Sequence, residues 1–224
     1  MQAPEHSASF AEKLLEAQEL ERARIAADLH DSIGQNLTTI KFNLELWLAK
    51  QSEQPNPSQD LEPVKHQCKK ITEALDEIRH ISRTLHPETL DSLGIVISLQ
   101  SLCREYRVTH PTTLVIEQFD VDESQIPGLT KLHVYRICQE ALANIAKHSN
   151  ADQVTLRLYL TGQQLKLEIA DKGIGIAVDR LPTSLWGGLG LRSIQQRTHQ
   201  LNGHFRLYSE ANNGTRMVIR FPLA

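Results

Sequence analysis

No stretch of this sequence stays apolar for long enough to cross a bilayer. The longest uninterrupted run, GIVIS with its neighbours, is far short of the roughly 20 residues that a membrane helix needs. The opening MQAPEHSASF has no basic stretch followed by an apolar one, so it does not read as a secretory leader. The expectation is a soluble, cytoplasmic chain without membrane contact of its own, whether free-standing or the soluble part of a larger anchored protein. Charge of one sign is also lacking. With 24 Lys and Arg against 27 Asp and Glu, the formal net charge is -3, which gives no reason to expect direct nucleic-acid binding. Cysteine is scarce: Cys68, Cys103 and Cys138 are widely spaced within helical patterns, so neither a disulfide framework nor a zinc site is suggested. Internal repeats and low-complexity tracts are absent, as are the GK[ST] and GxGxxG phosphate fingerprints.

What is present begins with helical periodicity. Apolar residues at Ile33, Leu37, Ile40, Leu44 and Trp47 step by four and three, the seam of a coiled-coil-like helix, and residues 11–51 read as one long helix. Two prolines in SEQPNPSQ interrupt it, and the same stepping resumes from Val64 through Cys68, Ile71, Leu75 and Ile78. Two helices with one-sided strips cannot bury them alone, so residues 11–88 are expected to form a helical hairpin that pairs with a second copy as a four-helix bundle in a homodimer. After His86-Pro87 the texture changes, and residues 89–224 read as a second domain that opens with a helix around Ile95 to Tyr106. TTLVIEQ, QVTLRLYL and LKLEIAD alternate as strands, the last two joined at Thr161-Gly162. HFRLYSE and TRMVIRF pair across Asn212-Asn213-Gly214. Helices are expected at about Gly128 to His148 and from Leu189 to Leu201, the latter stopped by Asn202-Gly203. The fold class is therefore α+β, a hairpin followed by a mixed sheet covered by helices.

Four segments carry candidate chemistry. In ERARIAADLHDSIGQ, His30 follows the seam position Leu29 and turns about 100° from the core strip toward solvent. A neutral imidazole there is a nucleophile near neutral pH, Asp31 can accept or orient its ring proton, and Gln35 lies on the Asp31 face, where it could place a water. In HVYRICQEALANIAKHSNA, Val134, Ile137, Ala141 and Ile145 make a buried strip, and Glu140, Asn144, Lys147 and His148 form a polar strip that shares a face of its own. An amide oxygen suits a magnesium ion held mostly by phosphates and water, and the cations suit phosphate. In LKLEIADKGIGI, period two puts Asp171 on the apolar side of a strand, where it needs a partner such as an adenine amino group. Gly173 and Gly175 follow, and the bland alternative is a glycine turn capped by Asp171. In LWGGLGLRSIQQR, a glycine segment runs into a helix start whose amides can receive phosphate, with residues 178–188 as a lid. Each segment alone also reads as ordinary structure: a solvated helix face, an amphipathic helix, a capped turn, a surface loop.

Together and in this order, the four segments resemble the nitrate-sensor-like class of sensor histidine kinases over roughly residues 18–223. ERARIAADLHDSIGQ is similar to that class's phosphoacceptor box, and QEALANIAKHS, DKGIGI and GGLGLRSIQQR resemble the nucleotide boxes of the GHKL-type ATP-binding fold. ISRTLHPETLDSLGI is similar to the interdomain linker, with a hinge near residues 83–95. The resemblance implies that ATP and Mg²⁺ are the cofactors and that a response regulator with a receiver domain is the partner. It further implies His30 as phosphoacceptor, Asp31 as its proton acceptor, Gln35 as an aid to dephosphorylating the regulator, and Glu140 as support for the metal's water shell. Asn144 would bind the metal, Lys147 and His148 would lie near the phosphates, and Asp171 would bind adenine. Gly173 and Gly175 would shape the pocket, with Gly188 and Gly190 hinging the lid. The lid is short and contains no obvious phenylalanine box. Two other readings are a GHKL-type ATPase that hydrolyses ATP without forming a phosphoprotein, and a non-catalytic dimeric scaffold that binds no nucleotide.

Overall fold

The computed structural model of the chain describes residues 5–52, 61–176 and 189–223. It divides into two compact units, Met1–Glu88 and Thr89–Ala224. In the first, α1 (Glu5–Asp28) continues through a π-helical segment, Leu29–Gly34, into α2 (Gln35–Ser52). After the linking stretch, α3 (Glu62–Leu85) starts with a proline in its first turn, where a missing N–H costs nothing, and stops at His86, the residue that Pro87 holds extended. It packs along α1, the π segment and α2.

The sequence reads Ile33, Leu37, Ile40, Leu44 and Trp47 as a single seam; the structure divides these residues between two faces. Leu37 and Leu44 are half-buried, with Leu48, where α2 packs on α3. Ile33, Ile40 and Trp47 remain 45%, 48% and 38% exposed. On α3, Cys68 and Leu75 are buried while Ile81 is 41% exposed. An isolated hairpin offers each helix only one neighbour, and residues seven apart recur on one side of it, so the second half of the strip is left exposed among the described residues. The expected single α-helix is also corrected in detail, since a π segment interrupts it at His30, Asp31 and Gly34.

In the second unit, α4 (Glu88–Thr109) is broken at Gly94, whose φ of 84° lies in the left-handed region. The helix restarts because Glu123 accepts the N–H groups of Ile95 and Val96 at 2.7 and 3.0 Å, placing a carboxylate at a positive helix end. Strands β1 (Leu114–Asp120), β2 (Gln153–Thr161), β3 (Gln164–Asp171), β4 (His204–Ser209) and β5 (Thr215–Pro222) form a sheet of order β1-β2-β3-β5-β4. The β1–β2 pair is parallel and the rest are antiparallel, the mixed sheet expected from sequence. Alternate residues Val154, Leu156, Leu158, Leu165, Leu167, Ile219 and Phe221 are almost wholly buried and join α4, α5 (Gly128–His148) and α6 (Leu189–Gln200) in one core. The other sheet face is polar, with Glu168 between Arg157 and Arg216. At the end of α6, Asn202 adopts φ 51° and the Gly203 N–H reaches the Thr198 carbonyl at 2.9 Å, the left-handed helix stop expected at Asn202-Gly203.

Candidate functional site

The site in the second unit grows from the amphipathic pattern of α5. Val134, Ile137, Ala141 and Ile145 are buried against the sheet, and a polar strip runs along one flank of that buried face. Glu140 and Asn144 lie half-buried on this flank, and Lys147 and His148 end it exposed. Both cations stand in the last turn of α5, where they also complement the carbonyl end of the helix.

Three further elements close a cavity of about 510 Å³ over this flank. At the end of β3, Asp171 is 8% exposed, on the apolar side that period two assigns to it. Burial pushes its carboxyl above the usual aspartate range, while the Gly173 N–H at 2.9 Å and the N–H and hydroxyl of Thr215 pull it back. Asp171 thus caps the glycine turn and still faces the cavity. At Gly173 an added Cβ would collide with the Ser149 carbonyl, so glycine there serves the contact between the turn and the end of α5. Gly175 lines the cavity. The start of α6 brings Gly190 so close that its Cβ would strike a Glu140 carboxylate oxygen and come within 2.8 Å of Asn144 Nδ2. The start of α6, whose first N–H groups have no acceptor within the helix itself, therefore lies against the polar strip of α5.

Asn144 Nδ2 is buried with no hydrogen-bond partner among the described residues. A buried N–H donor without an acceptor is costly, and an acceptor such as a phosphate oxygen would satisfy it while leaving the amide oxygen for a cation. The cavity volume lies in the range of small-molecule sites, and Ile169, Leu207 and Met217 give it an apolar wall. Glu140, Asn144, Lys147, His148, Asp171, Gly175 and Gly190 all line this one cavity, with Gly173 in the turn beside it. Gly188 and the lid span 178–188 lie outside the described residues.

In the first unit, His30 is exposed on the π segment. Next to it, Asp31 accepts a hydrogen bond from Gln35 Nε2 at 3.2 Å. Reading the sequence missed several features. Thr215 supplies two donors to Asp171; its only sequence signal is its place after Gly214 at the start of β5, opposite Asp171 in register. Ser149 and Leu207 also line the cavity, and nothing in their local sequence marks them. The π segment has no pattern signature, because it changes which face a residue occupies without changing residue type.

Two family models match the chain. One, described as histidine kinase, covers residues 21–90. The other, described as histidine kinase-, DNA gyrase B-, and HSP90-like ATPase, covers residues 130–224. Sensor histidine kinase LiaS of Bacillus subtilis is 30% identical over 204 residues, which are 91% of this chain and 54% of LiaS. Sensor histidine kinase MctS of Rhizobium johnstonii is 28% identical over 221 residues, 96% of this chain and 46% of MctS. The chain therefore spans about half the length of these curated relatives. Among solved structures, the histidine kinase domain from the Erythrobacter litoralis EL346 blue-light activated histidine kinase matches with a TM-score of 0.54 at 18% identity, covering 92% of this chain and 94% of that one. That likeness is one of fold.

Proposed function

Because this chain belongs to the sensor histidine kinases, in their nitrate-sensor-like class, we propose that it is the kinase core of a two-component system, which phosphorylates its own His30 from ATP and passes the phosphoryl group to an aspartate of a response regulator. The observation that carries the reading is one cavity lined together by Glu140, Asn144, Lys147, His148, Asp171 and the start of α6, in a chain that also exposes His30 on a helical hairpin.

In this reading the adenine amino group donates to Asp171, and its ring lies on the apolar wall of Ile169, Leu207 and Met217. The phosphates run toward Lys147, His148 and the α6 amides. Asn144, supported by Glu140, would hold a magnesium ion, which supplies charge neutralisation to the phosphates. His30 uses a ring-nitrogen lone pair to attack the γ-phosphorus. The new N–P bond forms as the bond to the β–γ bridging oxygen breaks, and ADP leaves with that electron pair. Asp31 holds the proton on the other ring nitrogen, so the attacking one stays unprotonated. Phosphoryl transfer depends mostly on positioning and charge neutralisation, so the bridging of the two units is the demanding step. Gln35, already bonded to Asp31, is placed to orient a water in the reverse sense, dephosphorylation of the regulator. Both ATP and the regulator place the activity in the cytoplasm.

Ile33, Ile40 and Trp47, spaced by seven along one side of their helical stretch, and Ile81 on α3 are exposed and support a homodimer: in a symmetric pair they would join a four-helix core. The test is incubation with γ-labelled ATP and Mg²⁺ beside His30→Ala. Acid-labile, alkali-stable label that disappears in the variant supports the kinase. ATP hydrolysis without protein label would favour an ATPase, and failure to bind ATP would favour a scaffold.

A further inference from the structure

The first unit contains a second recess, one that the nucleotide site does not use. Between the helical stretch carrying His30 and α3 lies a groove of about 260 Å³ lined by His30, Gln35, Thr38, Leu75, Ile78 and Arg79. Its floor is apolar, and its rim carries the phosphoacceptor on one helix and a guanidinium on the other. We propose that this groove seats the phosphoryl group once it is bonded to His30, with Arg79 as the counter-charge that touches it. The proposal rests on the kinase reading.

Three observations converge on Arg79. It shares a groove with His30 although 49 positions separate them in sequence. Its present partner is Asp76, one turn away at 3.1 Å, in a pair whose side chains are 56% and 67% exposed. Such a surface pair is weak and readily exchanged for a doubly charged group. Asp31, the carboxylate next to His30 in sequence, is bonded by Gln35 at 3.2 Å and does not line the groove, so Arg79 is the charged side chain that shares it with His30.

At 100° per residue, Thr38 lies about 160° from Ile40 around α2 and Arg79 about 160° from Ile81 around α3, whereas Thr39 and Ile78 lie about 100° and 60° from those isoleucines. The Thr38 and Arg79 edges of the groove therefore face away from the exposed isoleucines.

The chemistry gives the contact a measurable consequence. Hydrolysis of phosphohistidine breaks the N–P bond as water attacks phosphorus, and the electron pair returns to the imidazole, a better leaving group when its other nitrogen is protonated. The phosphoryl charge favours that protonation, and a guanidinium beside it opposes it. Arg79 lines the groove with His30; Asp31 adjoins His30 on its own segment and is bonded by Gln35, and Asp76 pairs with Arg79 on α3. Arg79 should therefore lengthen the life of the label.

The test labels the full chain with γ-labelled ATP, removes nucleotide, and follows loss of label against pH for wild type, Arg79→Ala, Arg79→Gln and Arg79→Lys. The expected result is a half-life shortened about tenfold in Arg79→Ala and Arg79→Gln, the size of one charge-assisted hydrogen bond. The pH at which label becomes labile should move upward, Arg79→Lys should recover part of both effects, and ATP binding should be unchanged. Equal half-lives and pH profiles in wild type and both neutral variants would overturn the proposal. If Arg79→Ala melts early, Arg79→Gln, which keeps the stem, decides alone. Absence of label in the wild type would instead overturn the kinase reading, and this proposal with it.

Discussion

The two units of the chain solve the problem of burying apolar surface in different ways. Unit two closes its core within one chain: three helices and one sheet face bury Ile95, Leu99, Ile137, Leu156, Leu158, Ile194 and Phe221 almost completely. Unit one buries Ala26, Cys68 and Leu75 and leaves Ile33, Ile40, Trp47 and Ile81 more than a third exposed. In the proposed reading, the difference would separate a domain that holds a ligand by itself from one that a second copy completes. In the kinase reading the division is functional, since nucleotide belongs to the self-sufficient unit and the phosphoacceptor to the dependent one.

The sharpest way to break this comparison is to disable each unit separately. His30→Ala should abolish label and leave nucleotide binding intact, whereas Asn144→Ala should abolish label by weakening Mg·ATP binding roughly a hundredfold, with dimerisation unchanged. Calorimetry and sedimentation on the same samples would check both halves. A His30→Ala chain that lost nucleotide would show that the two units do not divide the work.

The next largest effect is expected from Ile40→Asp. A buried isoleucine contributes roughly 1.5–3 kcal/mol and a symmetric interface counts it twice, so the dimer dissociation constant should rise at least about a hundredfold in sedimentation. Label should fall with it while nucleotide affinity stays constant. Gly190→Ala tests the other unit more gently. Its Cβ would press on Glu140 and Asn144, and about tenfold weaker Mg·ATP binding by calorimetry is expected, the scale of one overpacked contact.

The smallest effect is pH dependence in unit two. Burial raises the Asp171 carboxyl above its usual range, so between the ordinary aspartate range and that raised value the folded unit binds more protons than the unfolded one. Its increment to stability is present below that window and is lost as pH rises through it. Asp171→Asn should remove this increment. Thermal melts of wild type and variant across acidic pH should therefore differ in slope in that window, and parallel curves would show that Asp171 sits in a milder setting.

Much of this was legible in the sequence because period carries location. Alternation in LKLEIAD put Asp171 on the buried side of β3, and four-three stepping put Glu140 and Asn144 together on one strip of α5; both assignments depend on nearest neighbours along one element. What could not be read depended on contacts between elements. A seven-residue repeat looks the same whether it faces one neighbour or two, so the split between Leu37 with Leu44 and Ile33 with Ile40 needed the position of α3. The break at Gly94 is set by Glu123, a residue far along the chain. Arg79 reads as half of a helix ion pair until α3 is folded against the segment that carries His30.

One titration tests the central division most directly. The full chain would be diluted through its dimer dissociation range with γ-labelled ATP and Mg²⁺ held constant, measuring acid-labile label per chain and nucleotide occupancy on the same samples. The account predicts that label falls in step with dimer while occupancy stays level. Label that persists in the monomer, or occupancy that falls along with it, would contradict it.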